Sequence, residues 1–165
     1  MELPVVNHPD YVAKINDDNK FPIKKFGVLA EHLLKNGIVK KFYIPKECST
    51  ETMKTSHSLE YINHIRNKTL DIKLQKKIGF PINDSVIKRS FVATGGTVLA
   101  SKLALDSKLA CNTAGGSHHA TFDYGAGYCV FNDVAVAANY LKDKGYAKKI
   151  LILDLDVHQG NGNSE

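Results

Sequence analysis

The segment Ile150-Leu-Ile-Leu-Asp-Leu-Asp-Val-His158 predicts a β-strand that is buried on both faces and ends in polar chemistry. Its apolar run is broken only by acids, which is typical of a strand inside a parallel sheet. Asp154, Asp156 and His158 stand at alternate positions, so a strand would direct all three side chains to one face at its carboxyl end. Ligand sites of open α/β sheets form at that end. Two carboxylates and an imidazole without thiolates predict a site for zinc or a divalent ion of similar preference.

The alternative for this segment is a capped strand end with solvated acids. The glycines of Gln159-Gly-Asn-Gly162 follow at once and allow a sharp turn, which favours a site over a plain strand end. We therefore expect a metal-binding edge here.

The elements before this segment predict a three-layer αβα fold of the α/β class, with helices on both faces of a mainly parallel sheet. The adjacent glycines Gly95-Gly96 fall inside a predicted helix and indicate close packing against a neighbour. Helical patterns cover residues 24–35, 58–68 and 83–106 and a segment opened by Asn132 and Asp133, and short strand candidates cover residues 39–44 and 109–113.

The composition of the 165 residues, with 43% hydrophobic and 24% charged residues, predicts one ordinary globular domain. The net charge of +5 comes from scattered lysines without an aromatic-rich basic stripe, so we expect no nucleic-acid binding. No apolar run approaches the ~20 residues of a membrane span, and no secretory signal is visible. Cys48, Cys111 and Cys129 form no C-x-x-C pair, which predicts a reducing, cytoplasmic setting.

A second segment, Gly115-Gly-Ser-His-His119, follows the strand candidate at residues 109–113. Two glycines allow this loop to approach a ligand closely, and histidine suits proton transfer near neutral pH. A histidine pair alone could equally be structural or exposed. Together with the alternating acids of residues 154–158, it favours a catalytic site.

Three linked motifs resemble the histone deacetylase superfamily, with an ending closer to its class IV and bacterial members than to class I. They are Gly115-Gly-Ser-His-His119, Gly127-Tyr-Cys-Val-Phe-Asn-Asp133 and Asp154-Leu-Asp-Val-His-Gln-Gly-Asn-Gly162. The resemblance implies an arginase/deacetylase-like fold. It also implies that residues 1–165 are a single domain, the amino-terminal portion of a catalytic domain incomplete at its C-terminal side.

The resemblance assigns roles to the polar residues of the first and third motifs. Asp156 and His158 match zinc ligands, and such a zinc activates water and polarises the acyl carbonyl. His119 matches the general base and later acid, while His118 matches a histidine that stabilises charge and pairs with Asp154. The backbone carbonyls of Asp154, Asp156 and His158 match a potassium site.

The remaining site residues follow from the same resemblance. Gly127 and Tyr128 match the wall of a narrow acyl-lysine tunnel, although core packing is the alternative for Tyr128. Asn161 stands where class I enzymes have an Asp behind His119, so we expect a less basic His119. Asn132 and Asp133 are interpreted as helix caps, and Cys129 as a small buried hydrophobe.

The family's third zinc ligand, an Asp, and its transition-state-polarising Tyr have no counterpart in this sequence. We therefore expect weak zinc binding and negligible catalysis from this chain alone. Two alternatives stay open: a deacetylase of acetylpolyamines or other small acylated amines instead of acyl-lysine proteins, and a non-catalytic truncated remnant.

Overall fold

The computed structural model describes residues 3–165, which form helices around a very small parallel sheet. Strands β1 (Val5–Val6) and β2 (Cys111–Asn112) are joined by helices α1 (Lys25–Lys35), α2 (Thr50–Met53), α3 (Leu59–Arg66), α4 (Ile72–Ile78) and α5 (Asp84–Ser107), and β2 is followed by α6 (Asp133–Asp143). Single 3-10 turns occupy Pro9–Tyr11 and Asn161–Asn163. The predicted α/β class is confirmed.

Helices α2 to α6 each begin after a residue whose side chain caps the helix, whereas Lys24 before α1 makes no such hydrogen bond. The side chain of Asn83 accepts a hydrogen bond from the backbone N–H of Val86 at the start of α5 (2.9 Å), as an N-cap should. Ser58 caps α3 in the same way by accepting from Tyr61 (3.1 Å). Four predicted helices are confirmed as α1, α3, α5 and α6, whereas α2 and α4 were not predicted.

The sheet is smaller than predicted. β1 and β2 pair in parallel, with Val5 opposite Cys111 and Val6 opposite Asn112. The predicted strand at residues 39–44 is wrong: it is reduced to a single parallel bridge between Tyr43 and Val6. Tyr43 makes two backbone hydrogen bonds here: its N–H donates to the Val5 carbonyl, and its carbonyl accepts from the Asn7 N–H. Pro45, two residues later, has no N–H with which to extend the pairing.

The predicted buried strand at residues 150–157 is also wrong. This segment is assigned to no strand, and Leu151 and Val157 are 90% and 93% exposed. Within residues 3–165 its backbone makes no hydrogen bond to another backbone segment. The apolar pattern shows which side chains a strand would bury. A strand also needs a neighbouring strand for its backbone hydrogen bonds, and the pattern does not show whether one is present.

Helix α5 forms the centre of the core. Val86, Phe91 and Val92 on α5 are almost fully buried, together with Tyr11 beneath them. The predicted close packing at Gly95-Gly96 is confirmed. A Cβ at Gly96 would collide with the Tyr11 hydroxyl, and one at Gly95 would collide with a backbone carbonyl of the segment before α2. In the described part of the chain, no helix has the length and apolarity needed to cross a bilayer.

Candidate functional site

The loop that carries the adjacent histidines leaves β2 and is fixed by the amino end of α6. Gly115 and Gly116 have positive φ angles of 97° and 72°, which glycine adopts without steric cost. The buried carboxylate of Asp133 accepts hydrogen bonds from the backbone N–H groups of Gly116 (3.1 Å) and Ser117 (2.7 Å). It also accepts from the Thr97 hydroxyl (2.5 Å). The loop is thus held to α5 and α6 together.

His118 is paired with Asp154. Its Nδ1 lies 2.6 Å from Asp154 Oδ2, and the residue is only 6% exposed. A carboxylate can only accept, so Nδ1–H donates and the tautomer of the ring is fixed. The hydrogen bond from His118, followed by that from the backbone N–H of Asp156, lowers the pKa of the Asp154 carboxyl. The structure therefore brings together the predicted His–Asp pair.

His119 is paired with Asn161. Its Nδ1 lies 3.0 Å from Asn161 Oδ1, an oxygen that can only accept, so Nδ1–H donates. The lone pair of Nε2 is consequently free to take a proton. The rings of His118 and His119 lie 4.3 Å apart between centroids, and His158 lies 5.8 Å from His119.

Asp156 and His158, the predicted metal ligands, are in direct contact. Nδ1 of His158 lies 2.7 Å from Asp156 Oδ1, and the backbone N–H of His158 donates to the same oxygen (2.8 Å). These two hydrogen bonds, the backbone bond first, lower the pKa of the Asp156 carboxyl. Nε2 of His118 lies 3.9 Å from that oxygen.

A carboxylate and an imidazole, two side chains of the kind that bind zinc, are therefore in contact through a hydrogen bond that His158 Nδ1–H donates to Asp156 Oδ1. Among residues 3–165, however, no group of three or more His, Cys, Asp or Glu side chains is arranged to hold a metal ion. The donor set fits zinc in kind and is one protein ligand short in number.

Two glycines allow the loop after His158 to pack against the histidine loop. A Cβ at Gly160, where φ is +61°, would lie 2.7 Å from Asp154 Oδ2 and 2.9 Å from His118 Nδ1. A Cβ at Gly162 would lie 2.7 Å from the His118 carbonyl oxygen. Any side chain at either position would push the two loops apart.

The predicted tunnel wall lies beside His119. A Cβ at Gly127 would lie 2.7 Å from His119 Cδ2, so the glycine permits close backbone approach to that ring. Tyr128 has a positive φ of 65°, and its ring packs on Phe21 and Phe80 at centroid distances of 5.1 and 5.2 Å. The Tyr128 ring thus packs on the edge of the core, which is the alternative role that the sequence offered, and its tunnel role stays a prediction.

Sequence reasoning missed the wider contacts of Asn132 and Asp133. Asn132 caps α6 as expected, but the cap interpretation of Asp133 is wrong, because its carboxylate lies in the first turn of α6 and bonds the histidine loop instead. The Asn132 amide also donates to the carbonyl of Ala120 (3.2 Å) and to Asn163 Oδ1 (2.9 Å). No local signal announces these contacts, because the partners come from separate loops.

His57 was also missed. It is 1% exposed, and its Nε2 accepts from the backbone N–H of Asn132 (2.9 Å). Burial lowers the pKa of His57 to about 4, so the ring is neutral near neutral pH. Cys129 matches its interpretation as a small hydrophobe, because burial raises the pKa of its thiol to about 11.

The sequence profile of the family described as "Histone deacetylase domain" matches residues 20–165. A protein of Picosynechococcus is 43% identical over 166 residues, covering 99% of this chain and 55% of that protein. Histone deacetylase 2 of Arabidopsis thaliana is 29% identical, covering 87% of this chain and 39% of that protein. An acetoin utilization protein of Staphylococcus aureus is 27% identical, covering 90% and 41%.

Two crystal structures share the fold. The HDA15 HD domain superposes with a TM-score of 0.81 at 20% identity, covering all of this chain and 50% of that one. A histone deacetylase homologue complexed with SAHA superposes with a TM-score of 0.79 at 23% identity, covering 99% and 47%. This chain spans about half the length of the relatives it matches.

Proposed function

The chain belongs to the histone deacetylase domain family, as the resemblance of its motifs predicted, and we propose that it supplies the proton-transferring residues of a zinc-dependent deacetylase. The reaction of that deacetylase would be the hydrolysis of acyl-lysine amides. The observation that carries this proposal is the convergence of two loops. His118 and His119 lie on one loop, and their partners Asp154 and Asn161 lie on the other at 2.6 and 3.0 Å.

Asp156 and His158 would hold the zinc ion, because a carboxylate and an imidazole suit this metal and the two side chains lie side by side. Such an ion polarises the acyl carbonyl and lowers the pKa of a bound water molecule toward about 7. The backbone carbonyls of Asp154, Asp156 and His158 accept no hydrogen bond within residues 3–165, which leaves them free for the predicted potassium ion.

The histidines divide the proton chemistry between them. His119 would accept the proton of the attacking water at Nε2 and return it to the leaving amine, because its Nδ1–H is occupied by Asn161. His118 would stabilise developing charge, since Asp154 supports a positive charge on its ring. Asp154 and Asn161 would hold the two rings in place.

Gly127 and Tyr128 would form one wall of the channel for the acylated chain. The glycine lies against the His119 ring, and the tyrosine ring offers an aromatic face to methylene groups. The substrate would be an acyl-lysine protein or a small acylated amine. The chain would form the amino-terminal portion of the catalytic domain, so the third zinc ligand and the polarising Tyr would come from outside residues 1–165.

The proposal is tested on the complete protein obtained by extending the reading frame, with zinc, acetyl-lysine peptides and acetylated polyamines. We expect turnover from the complete protein and none from residues 1–165 alone. His119→Gln should lower kcat at least about a hundredfold, whereas His64→Gln should not, because His64 is an exposed histidine of α3. Full activity of His119→Gln, or robust turnover by the 165-residue chain, would contradict the proposal.

A further inference from the structure

Asn132 is buried at the amino end of α6, with all of its side-chain polar atoms in use. Its Oδ1 caps the helix by accepting from the backbone N–H of Ala135 (2.9 Å). Its Nδ2 donates to the carbonyl of Ala120 (3.2 Å) and to Asn163 Oδ1 (2.9 Å). Its backbone N–H donates to His57 Nε2 (2.9 Å). One side chain therefore serves the helix and two separate loops.

The two partners of the Nδ2 group are neighbours of a functional pair. Ala120 directly follows His119, and Asn163 belongs to the 3-10 turn that starts at Asn161. The amide of Asn132 therefore joins the two loops that bring His119 Nδ1 within 3.0 Å of Asn161 Oδ1. A change at this amide would be transmitted to that distance through one peptide bond on the His119 side and two on the Asn161 side.

We propose that Asn132 is a positioning residue that sets the contact between His119 and Asn161. Capping alone does not require this side chain, because Ser and Asp cap helices about as well. Only the amide of Asn combines a capping oxygen with two N–H donors at this position. That this contact matters for catalysis rests on the proposed function of His119, whereas the positioning of the contact by Asn132 does not.

The same helix offers a matched control. Asn139 also donates two hydrogen bonds from Nδ2, to the Thr55 carbonyl (3.0 Å) and to Ser56 Oγ (3.0 Å). These bonds join α6 to the segment between α2 and α3 and do not involve the histidine loop. A general loosening of α6 would follow from loss of either amide, but a change at His119 should follow only from loss of Asn132.

The decisive experiment compares Asn132→Ser with Asn139→Ser in the 165-residue chain. Nitrogen-15 NMR of the histidine side chains measures how fast the His119 Nδ1 proton exchanges with water. We expect this rate to rise at least about fivefold in Asn132→Ser, as loss of a buried hydrogen bond predicts, and less than about twofold in Asn139→Ser. An unchanged rate in Asn132→Ser, or an equal rise in both variants, would overturn the inference.

Asn163→Ala provides a second route that leaves α6 and its cap intact. It removes one of the two partners of the Asn132 amide, so the exchange rate of the His119 proton should again rise. If Asn132→Ser does not fold, this variant decides, and an unchanged rate then overturns the inference. A complete protein without acyl-lysine turnover would contradict the proposed function while leaving this NMR result valid, so the two failures are distinguishable.

Discussion

His57 is a single buried residue whose protonation is coupled to folding. Its environment lowers the pKa from the ordinary value of about 6.5 to about 4. Between these values the unfolded chain binds a proton at His57 and the folded chain does not, so acid favours unfolding. The contribution to stability is therefore complete above pH ~6.5 and is lost as the pH falls toward ~4.

We expect the protonation of His57 to lower the unfolding free energy by about 3 kcal/mol as the pH falls through that interval. In urea unfolding at several pH values, the unfolding free energy of His57→Gln should depend less on pH than that of the unsubstituted chain. The control is His64→Gln, which should keep the full dependence because the side chain of His64 is 42% exposed. An identical pH dependence in His57→Gln and the unsubstituted chain would refute this prediction.

Gly160 lies against the His118–Asp154 hydrogen bond. A Cβ at this position would lie within 3 Å of both bonded atoms, so we expect Gly160→Ala to abolish the low-field Nδ1 proton signal of His118 in NMR spectra. Gly145→Ala is the matched control: its φ of +71° gives the same backbone cost of about 1 kcal/mol, but nothing lies within 4 Å of the added Cβ. Survival of the signal in Gly160→Ala would show that the loop can move away.

At the scale of elements, α5 depends on two glycines that a generic helix would avoid. Gly→Ala inside a helix ordinarily stabilises it by about 1 kcal/mol. At Gly96 the added methyl group would strike the Tyr11 hydroxyl and the Asn112 amide, so Gly96→Ala should instead cost about 2 kcal/mol of unfolding free energy. Gly27→Ala in α1 should be neutral or stabilising, because it meets only a Val12 methyl group at 3.2 Å. Denaturant unfolding of both variants checks the sign.

The helices were predictable because their signals are local. Asn83 at the start of α5 and Asn36-Gly37 after α1 act within one turn of the chain. Among the strands, β2 lies inside the strand predicted at residues 109–113, but β1 was missed because its partner lies beyond five helices, and residues 150–157 find no strand partner in the described chain. The same limit applies to the site. Asp154, Asp156 and His158 lie on no strand ladder; instead the backbone N–H groups of Asp156 and His158 donate to the carboxylates of Asp154 and Asp156.

At the scale of the whole molecule, the exposed apolar segment 150–157 should govern how this chain behaves in solution. Leu153 and Leu155 are 75% and 86% exposed on a backbone without strand partners, which is a surface prone to association. We expect the 165-residue chain to self-associate and the double variant Leu153→Lys, Leu155→Lys to weaken this at least about tenfold by sedimentation.

The control for that variant adds the same charge elsewhere. Val28 and Leu109 are 64% and 63% exposed, so Val28→Lys with Leu109→Lys changes net charge equally without touching the segment. If both double variants weaken self-association equally, the change is due to charge alone, and the role of the exposed segment 150–157 is contradicted.

The contact between Tyr11 and Asn112 spans 101 residues and seals the core around Gly96. During synthesis on the ribosome, β1 must therefore wait for its strand partner until β2 has emerged from the exit tunnel, and before that it can form only the single bridge to Tyr43. Until then the nascent polypeptide exposes Tyr11 and the valines of β1. A chaperone that binds this early segment should therefore be needed only until the residues of β2 are free.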